Sequence, residues 1–189
     1  GPLHLLDTVS TLFFMGFAPY CACRVVHKIM RHQSAIHNFI LDSYKELVPE
    51  QLRMHKLSPK SLISIAIQNC RLPEEQMVKL FKEFGEFGGE IQRLTLRNIE
   101  LTDKSWKELL NSMTKCRSFR TIEVFELEKI DTLNLSETEL REGFIQICKH
   151  CRFIQKYSIS MWTPSLPFSN IRPFLVTTFL YQLSLQGQN

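Results

Sequence analysis

The sequence predicts an α/β fold, a short solenoid of stacked strand–helix units with parallel strands on its concave face and helices outside. The first observation is an internal repeat, in which apolar and asparagine positions recur after 29 residues. The second is that apolar residues alternate within each copy, which is the period of a strand. The third is that each copy continues into apolar residues at helical spacing. The matched pairs are Leu62 and Ile91, Ile65 and Leu94, Ile67 and Leu96, Asn69 and Asn98, Leu72 and Leu101, Met77 and Trp106, Leu80 and Leu109, and Phe81 and Leu110.

Two further units follow these copies along the chain. In the third unit the apolar strand positions Phe119, Ile122 and Val124 come 28 residues after their counterparts, and the segment 128–135 is predicted to be an insertion before a helix over 136–148. The fourth strand is predicted over 154–159, followed by a loop over 163–168 and a short helix over 170–179. The pattern restarts at residue 180. We therefore expect residues 61–189 to hold about four repeats and the start of another.

The strand motif L-x-x-L-x-L-x-N-x-x-L, followed by an amphipathic helix, resembles the ribonuclease-inhibitor-like class of leucine-rich repeats. The resemblance implies that the asparagine after each strand satisfies backbone groups of the turn with its side chain. Glu126 takes the place of Asn69 and Asn98 in the third unit, so we expect the array to be irregular there. Proteins of this class are overwhelmingly binding modules, and the resemblance therefore implies recognition of a partner.

Residues 3–60 lack the repeat, and their patterning predicts an all-helical N-terminal cap for the exposed end of the array. One predicted helix carries a basic face of Arg24, Lys28 and Arg31. Ser34 is placed to cap a second helix, which includes Phe39. The basic face is interpreted as solvated surface, with nucleic-acid contact as the alternative. Residues 1–2, Gly-Pro, are typical of a tag scar left by a protease.

A second resemblance concerns residues 4–13, His-Leu-Leu-Asp-Thr-Val-Ser-Thr-Leu-Phe. This segment is similar to the VHL box, the short helix by which leucine-rich-repeat substrate receptors of cullin-2 ubiquitin ligases dock on Elongin C. The resemblance implies adaptor docking through Leu5, Val9 and Phe13, with Val9 in place of the usual cysteine. The alternative is that the same helix only caps the core.

The predicted binding surface consists of strand residues between the buried positions, because side chains alternate across a strand. Arginines beside an exposed aromatic residue are typical of interface hot spots. We therefore expect a protein or peptide partner with an acidic side chain near an apolar anchor, the alternative being solvated arginines and a phenylalanine folded over the array edge. The residues predicted to bind the partner are Arg93, Thr95, Arg97, Glu123, Phe125, Lys156 and Ser158. A second contact is predicted at Trp162 and Phe168, in a loop whose prolines favour an extended path.

Composition and motifs exclude several other classes. A net charge of +4 falls short of the clustered field of a dedicated nucleic-acid binder, although an RNA-associated module stays an alternative. The uncharged stretch 8–23 is too short for a membrane span and is interrupted by Gly16 and Pro19. The pair Cys148 and Cys151 lacks the partners of a zinc site, so we predict no metal and no cofactor. No catalytic constellation is present, and the six cysteines indicate reduced thiols in the cytoplasm or nucleus.

Overall fold

A computed structural model describes residues 11–15, 38–47 and 64–162 of the chain. These residues form an α/β fold with one seven-stranded sheet, in which every described pairing is parallel. The strand order is β1-β2-β3-β4-β6, with β5 beside the far part of β6 and β7 pairing with β6. The elements are β1 (Thr11–Met15), β2 (Asn38–Asp42), β3 (Ser64–Gln68), α1 (Glu74–Glu86), β4 (Arg93–Arg97), β5 (Glu100–Leu101), α2 (Asp103–Lys115), β6 (Val124–Thr132), α3 (Glu137–His150) and β7 (Lys156–Trp162).

The register between β3 and β4 agrees with the 29-residue repeat. Ile65 pairs with Leu94 and Ile67 with Leu96. All four side chains are completely buried, whereas the residues between them stay accessible. Alternating burial therefore places one side of the sheet in the core with the helices.

The register between β4 and β6 differs from the prediction. Leu94 pairs with Phe125 and Leu96 with Leu127, a spacing of 31 residues instead of 28. The extra length lies after α2, where a 3-10 turn over Arg117–Phe119 lengthens the connection. Because the error of three residues is odd, it exchanges the two faces of the strand.

The described parts of residues 3–60 contradict an all-helical cap. Thr11–Met15 and Asn38–Asp42 are strands, and β2 pairs in parallel with both β1 and β3. Phe39 and Leu41 are buried and Ile40 is only half-buried, which is the alternation of a strand. A short apolar run fits a buried helix and a strand equally well until a neighbouring strand is known.

The same finding bears on the predicted adaptor-docking helix over residues 4–13. Its last residues, Thr11 to Phe13, belong to β1, so a helix through Phe13 is wrong. Leu5 and Val9 lie outside the described residues, as do the predicted basic helix over residues 24–31, the fourth helix over 170–179 and the restart of the pattern at residue 180.

Capping explains where α2 and α3 begin. The side chains of Thr102 and Ser136 each accept a hydrogen bond from the backbone N–H three residues ahead. The side chain at that third position in turn accepts one from the backbone N–H of the cap residue. The helix predicted from residue 136 is thus confirmed. The predicted insertion before it continues β6 to Thr132, and Asn134 then accepts a hydrogen bond from the backbone N–H of Asp103 at the start of α2.

Candidate functional site

The candidate site is the side of the sheet that the described helices leave uncovered, which we call the open face. Its residues alternate with the buried strand positions and are half-buried or exposed, apart from the buried Asp42. Parallel pairing arranges them in three rows across the sheet. The first row is Asn38, Ser64, Arg93, Val124 and Lys156; the second is Ile40, Ala66, Thr95, Glu126 and Ser158; the third is Asp42, Gln68, Arg97 and Glu128, and ends where the pairing of β6 with β7 shifts register.

Five of the seven residues predicted to contact a partner lie on the open face. Arg93, Arg97 and Lys156 are exposed, while Thr95 and Ser158 are half-buried. They lie in β4 and β7, the strands whose outward positions the sequence pattern predicted correctly. The structure thus brings these side chains onto one surface.

The other two predicted contact residues, Glu123 and Phe125, are wrong for this face. Phe125 is completely buried, and its ring meets that of Phe144 from α3 edge-on at a centroid distance of 5.2 Å. Glu123 precedes β6, and its carbonyl accepts hydrogen bonds from the backbone of Gln155 and Lys156. The 31-residue register gives their places on the open face to Glu126 and Glu128, and it places Val124 beside Arg93.

Most charges on the described open face are paired with each other. Arg97 Nε lies 2.7 Å from Glu128 Oε2 on the neighbouring strand. Lys156 Nζ lies 3.1 Å from Glu126 Oε1, whose side chain is largely buried. The Arg97–Glu128 pair, accessible on both sides, stabilises by less than about 1 kcal/mol, so a partner can replace it at little cost.

Arg93 differs from these cations. Its guanidinium makes no ion pair with any residue that the structure describes, and its side chain is exposed in the first row. Its neighbours across the sheet are Ser64 and Val124. An unpaired cation therefore adjoins a partly exposed apolar side chain near the middle of the open face.

A chain of hydrogen bonds follows the carboxyl ends of the strands and borders the open face. Arg71 Nη2 donates to Asn98 Oδ1 at 2.9 Å, Asn98 Nδ2 to Asn69 Oδ1 at 2.9 Å, and Asn69 Nδ2 to Asp42 Oδ1 at 3.3 Å. All donors point the same way, from a cation to a carboxylate. Such a chain is polarised by the charges at its ends.

The carboxylate at the end of this chain is held in its ionised form. Ser43 Oγ donates to Asp42 Oδ1 at 2.6 Å and lowers the pKa of that carboxyl, burial opposes the effect, and the amides of Gln68 and Asn69 lower the pKa further. Hydrogen bonds to a charged form favour that form. Asp42 is therefore a fixed negative charge at the border of the open face.

A residue in the left-handed conformation follows β3 and β4, and another interrupts β6. Asn69 and Asn98 have φ of 55° and 48°, and Lys129 has φ of 51°. Lys129, and not Glu126, is thus the third-unit counterpart of the two asparagines, which corrects the break predicted at Glu126. Its backbone N–H donates to Ser160 Oγ at 3.0 Å, whereas Asn98 donates to the Glu128 carbonyl at 2.8 Å.

The cysteine pair at the end of α3, Cys148 and Cys151, has the environment of core thiols. Burial raises the pKa of Cys148 to about 12 and that of Cys151 to about 11. A reactive or metal-binding thiol requires the opposite shift. Among the residues that the structure describes, no group of three or more His, Cys, Asp and Glu side chains is placed to hold a metal ion, and no helix is long and apolar enough to cross a membrane.

The predicted loop contact lies mostly outside the described residues. Trp162 is the last residue of β7, whose backbone pairs with Asp131 of β6, and Phe168 lies beyond the described range. In comparisons with known proteins, no family model and no curated protein matches this chain. The open face therefore has to be interpreted from its own chemistry.

Two functional features could not be found from the sequence. Val124 reaches the open face only because of the altered register, and no sequence signal marks that shift. Arg71 reaches Asn98 across 27 positions. Its place directly after the asparagine turn of one unit is the only available signal, and it does not identify the side-chain partner.

Proposed function

We propose that this chain is a leucine-rich-repeat-like recognition module that binds a protein partner through the open face. The observation that carries the proposal is Arg93, an exposed cation without an ion-pair partner among the described residues, next to the partly exposed Val124. Arginine beside apolar surface is a frequent centre of interface energy. Parallel repeats that display one sheet face are suited to extended contacts with another protein.

The charge pattern of the open face favours a protein over a nucleic acid. Its described charged residues comprise three cations and three carboxylates in alternation. A nucleic-acid surface needs one sign of charge, because its affinity comes from neutralised phosphates. A face that carries both positive and negative charges instead fixes how a protein surface with complementary charges aligns on it.

The chemistry around Arg93 indicates which group of a partner would bind there. Arg93 offers a planar donor set that fits a carboxylate through two parallel hydrogen bonds. Val124 and Ala66 provide a small apolar surface on either side of the strand that carries Arg93. We therefore expect the partner to present an aspartate or glutamate beside a small apolar side chain.

Quantitative affinity purification tests the proposal. The wild-type chain and Arg93→Glu serve as baits in extract from cells that express the protein, with Lys104→Glu as the matched control. Lys104 is exposed near the start of α2, a helix that contributes no residue to the open face. Partners that lose at least about tenfold in recovery with Arg93→Glu, a difference of about 1.4 kcal/mol, and that persist with Lys104→Glu support the open face.

Two outcomes would count against the proposal. Partners recovered equally with Arg93→Glu and the wild type would place the interface elsewhere. Recovery that is abolished by brief treatment with nuclease would assign the association to nucleic acid. Thermal unfolding of each bait verifies that a lost partner reflects the surface and not loss of fold.

A further inference from the structure

An open cleft of about 350 Å³ lies where the end of α2, the 3-10 turn over Arg117–Phe119 and the end of α3 come together. Its volume is at the lower end of the range, about 300–1,000 Å³, of small-ligand sites. The last turn of α2, the turn Arg117–Phe119 and the end of α3 form its walls. None of these elements contributes to the open face.

Four basic side chains line this cleft: Lys115, Arg117, Arg120 and His150. The first three make no hydrogen bond or ion pair with any described residue through their charged groups. None of the residues lining the cleft is a carboxylate. The cleft thus gathers permanent positive charge that the described protein does not neutralise.

Local geometry places the two arginines together. Arg117 and Arg120 are three residues apart in a 3-10 turn, and side chains with this spacing project to the same side. His150 Nδ1 lies 3.2 Å from the carbonyl of Gln146, which orients the imidazole at the end of α3. The basic groups therefore converge from separate elements on one space.

The turn that carries the arginines is firmly attached to the core. Ser118 Oγ donates to the carbonyl of Phe84 at 2.7 Å, and the backbone N–H of Ile91 donates to the carbonyl of Ser118 at 2.7 Å. Phe119 is completely buried. A site whose backbone is fixed in advance loses little freedom when a ligand binds.

Helix capping accounts for only part of this arrangement. Basic residues at helix C-termini complement the helix dipole, which explains Lys115 and His150. Arg117 and Arg120 lie beyond α2 and have no such role. Burial raises the pKa of the Cys116 thiol, and the negative charges of Glu108 and Glu86 raise it further. These two carboxylates therefore lie near the thiol, but they do not line the cleft.

We propose that this cleft binds a phosphate monoester group. Three permanent cations exceed what a single carboxylate can balance, whereas a phosphate approaches two negative charges at neutral pH. Its three oxygens can accept paired hydrogen bonds from two guanidinium groups and one from an ammonium. The site is separate from the open face, and its test is independent of the proposed protein recognition.

Two-dimensional NMR of the backbone amides is the first test. Inorganic phosphate is titrated into the wild-type chain, with sodium chloride at matched ionic strength as the control, and shifts are expected in residues 113–120 and 150–151. Phosphoserine and serine versions of one neutral peptide then distinguish a protein-borne phosphate from the free anion. Tighter binding of the phosphoserine peptide than of inorganic phosphate would assign the source to a phosphorylated protein, and equal or weaker binding would assign it to a small free phosphate compound.

Charge variants locate the site. The double variant Arg117→Glu with Arg120→Glu should weaken binding at least about tenfold, since it removes two charge-assisted donors and puts carboxylates that repel phosphate in their place. Arg141→Glu, the matched control, reverses an exposed arginine about 13 Å along α3 from His150 and should bind within about twofold of the wild type. If the double variant is unfolded by circular dichroism, the milder Arg117→Gln with Arg120→Gln replaces it.

Cys116 lines the cleft and offers an independent readout in the unaltered protein. Its alkylation rate, mapped by mass spectrometry, should fall when phosphate is present and stay constant in chloride. Equal shifts and equal alkylation in phosphate and chloride would overturn the proposal. So would tight binding of a single-stranded oligonucleotide with a steep salt dependence that the phosphopeptide lacks, because it would assign the cations to a nucleic acid.

Discussion

Replacing Phe125 with alanine tests the register of β6. The side chain is completely buried and packs edge-on against Phe144. An aromatic side chain buries about 150–250 Å², which at about 25 cal/mol per Å² corresponds to an upper bound of about 4–6 kcal/mol. Alanine keeps one methyl group, so we expect Phe125→Ala to lower the free energy of unfolding by about 3–5 kcal/mol.

Urea unfolding followed by far-UV circular dichroism measures this loss. With a slope near 2 kcal/mol per M, the midpoint should fall by about 2 M. Val124→Ala is the matched control, because Val124 is adjacent in the same strand and faces the open side. It should cost less than about 1 kcal/mol, since a partly exposed valine loses little apolar burial.

The comparison between the two variants decides the register. In the 28-residue alignment Val124 is buried and Phe125 is exposed, so the order of the two effects is reversed. A Phe125→Ala variant that is as stable as the wild type, together with a strongly destabilised Val124→Ala, would refute the 31-residue register. It would also restore Phe125 to the predicted contact surface.

Three further predictions follow from buried contacts and charge. Gly143→Ala should destabilise by about 1–3 kcal/mol in thermal unfolding, although alanine normally favours a helix, because the added Cβ would lie 2.6 Å from Trp106 Nε1. Ser118→Ala removes the donor to the buried Phe84 carbonyl and should cost about 1–3 kcal/mol in urea unfolding. The lowered pKa of Asp42 means that its stabilisation is complete above about pH 4 and is lost as the pH falls through the folded pKa. Asp42→Asn should therefore make the free energy of unfolding depend less steeply on pH in the acid range. An unchanged dependence would contradict the conclusion that hydrogen bonds hold Asp42 in its ionised form.

The sequence predicted the central units well because their pattern is redundant. In the first two units the strand positions, the asparagine turn and the helix face all recur at one spacing, so a single alignment satisfies every residue. The third unit offered two apolar alternations, one through Ile122 and Val124 and another through Phe125 and Leu127. Composition cannot choose between them. The choice depends on the number of residues held in the turn after α2, which is a property of tertiary packing.

The N-terminal strands show the same limitation in another form. Residues 38–42 match the strand of the next unit at an offset of 26 residues instead of 29, and they lie beside apolar residues that also fit a helix. Hydrogen bonding to β3 decides their structure, and that pairing joins residues 26 or more positions apart. Short-range periodicity does not contain this information, so the sheet extends further towards the N-terminus than the pattern indicated.

At the border of the open face, the side chains of Asn69 and Asn98 do not bond to described backbone groups of the turns, as the resemblance implied, but form a ladder of side-chain hydrogen bonds. The side chains of Asn69 and Asn98 do bond to each other, but the ladder is closed by charged groups, Arg71 at one end and Asp42 at the other. Each amide must then donate in one direction only, which fixes the rotamer of both asparagines. An ordered row of amides and charges beside Arg97 gives the open face a rigid polar rim. If the open face binds a protein as proposed, this rim would favour a partner whose own polar groups match it in register.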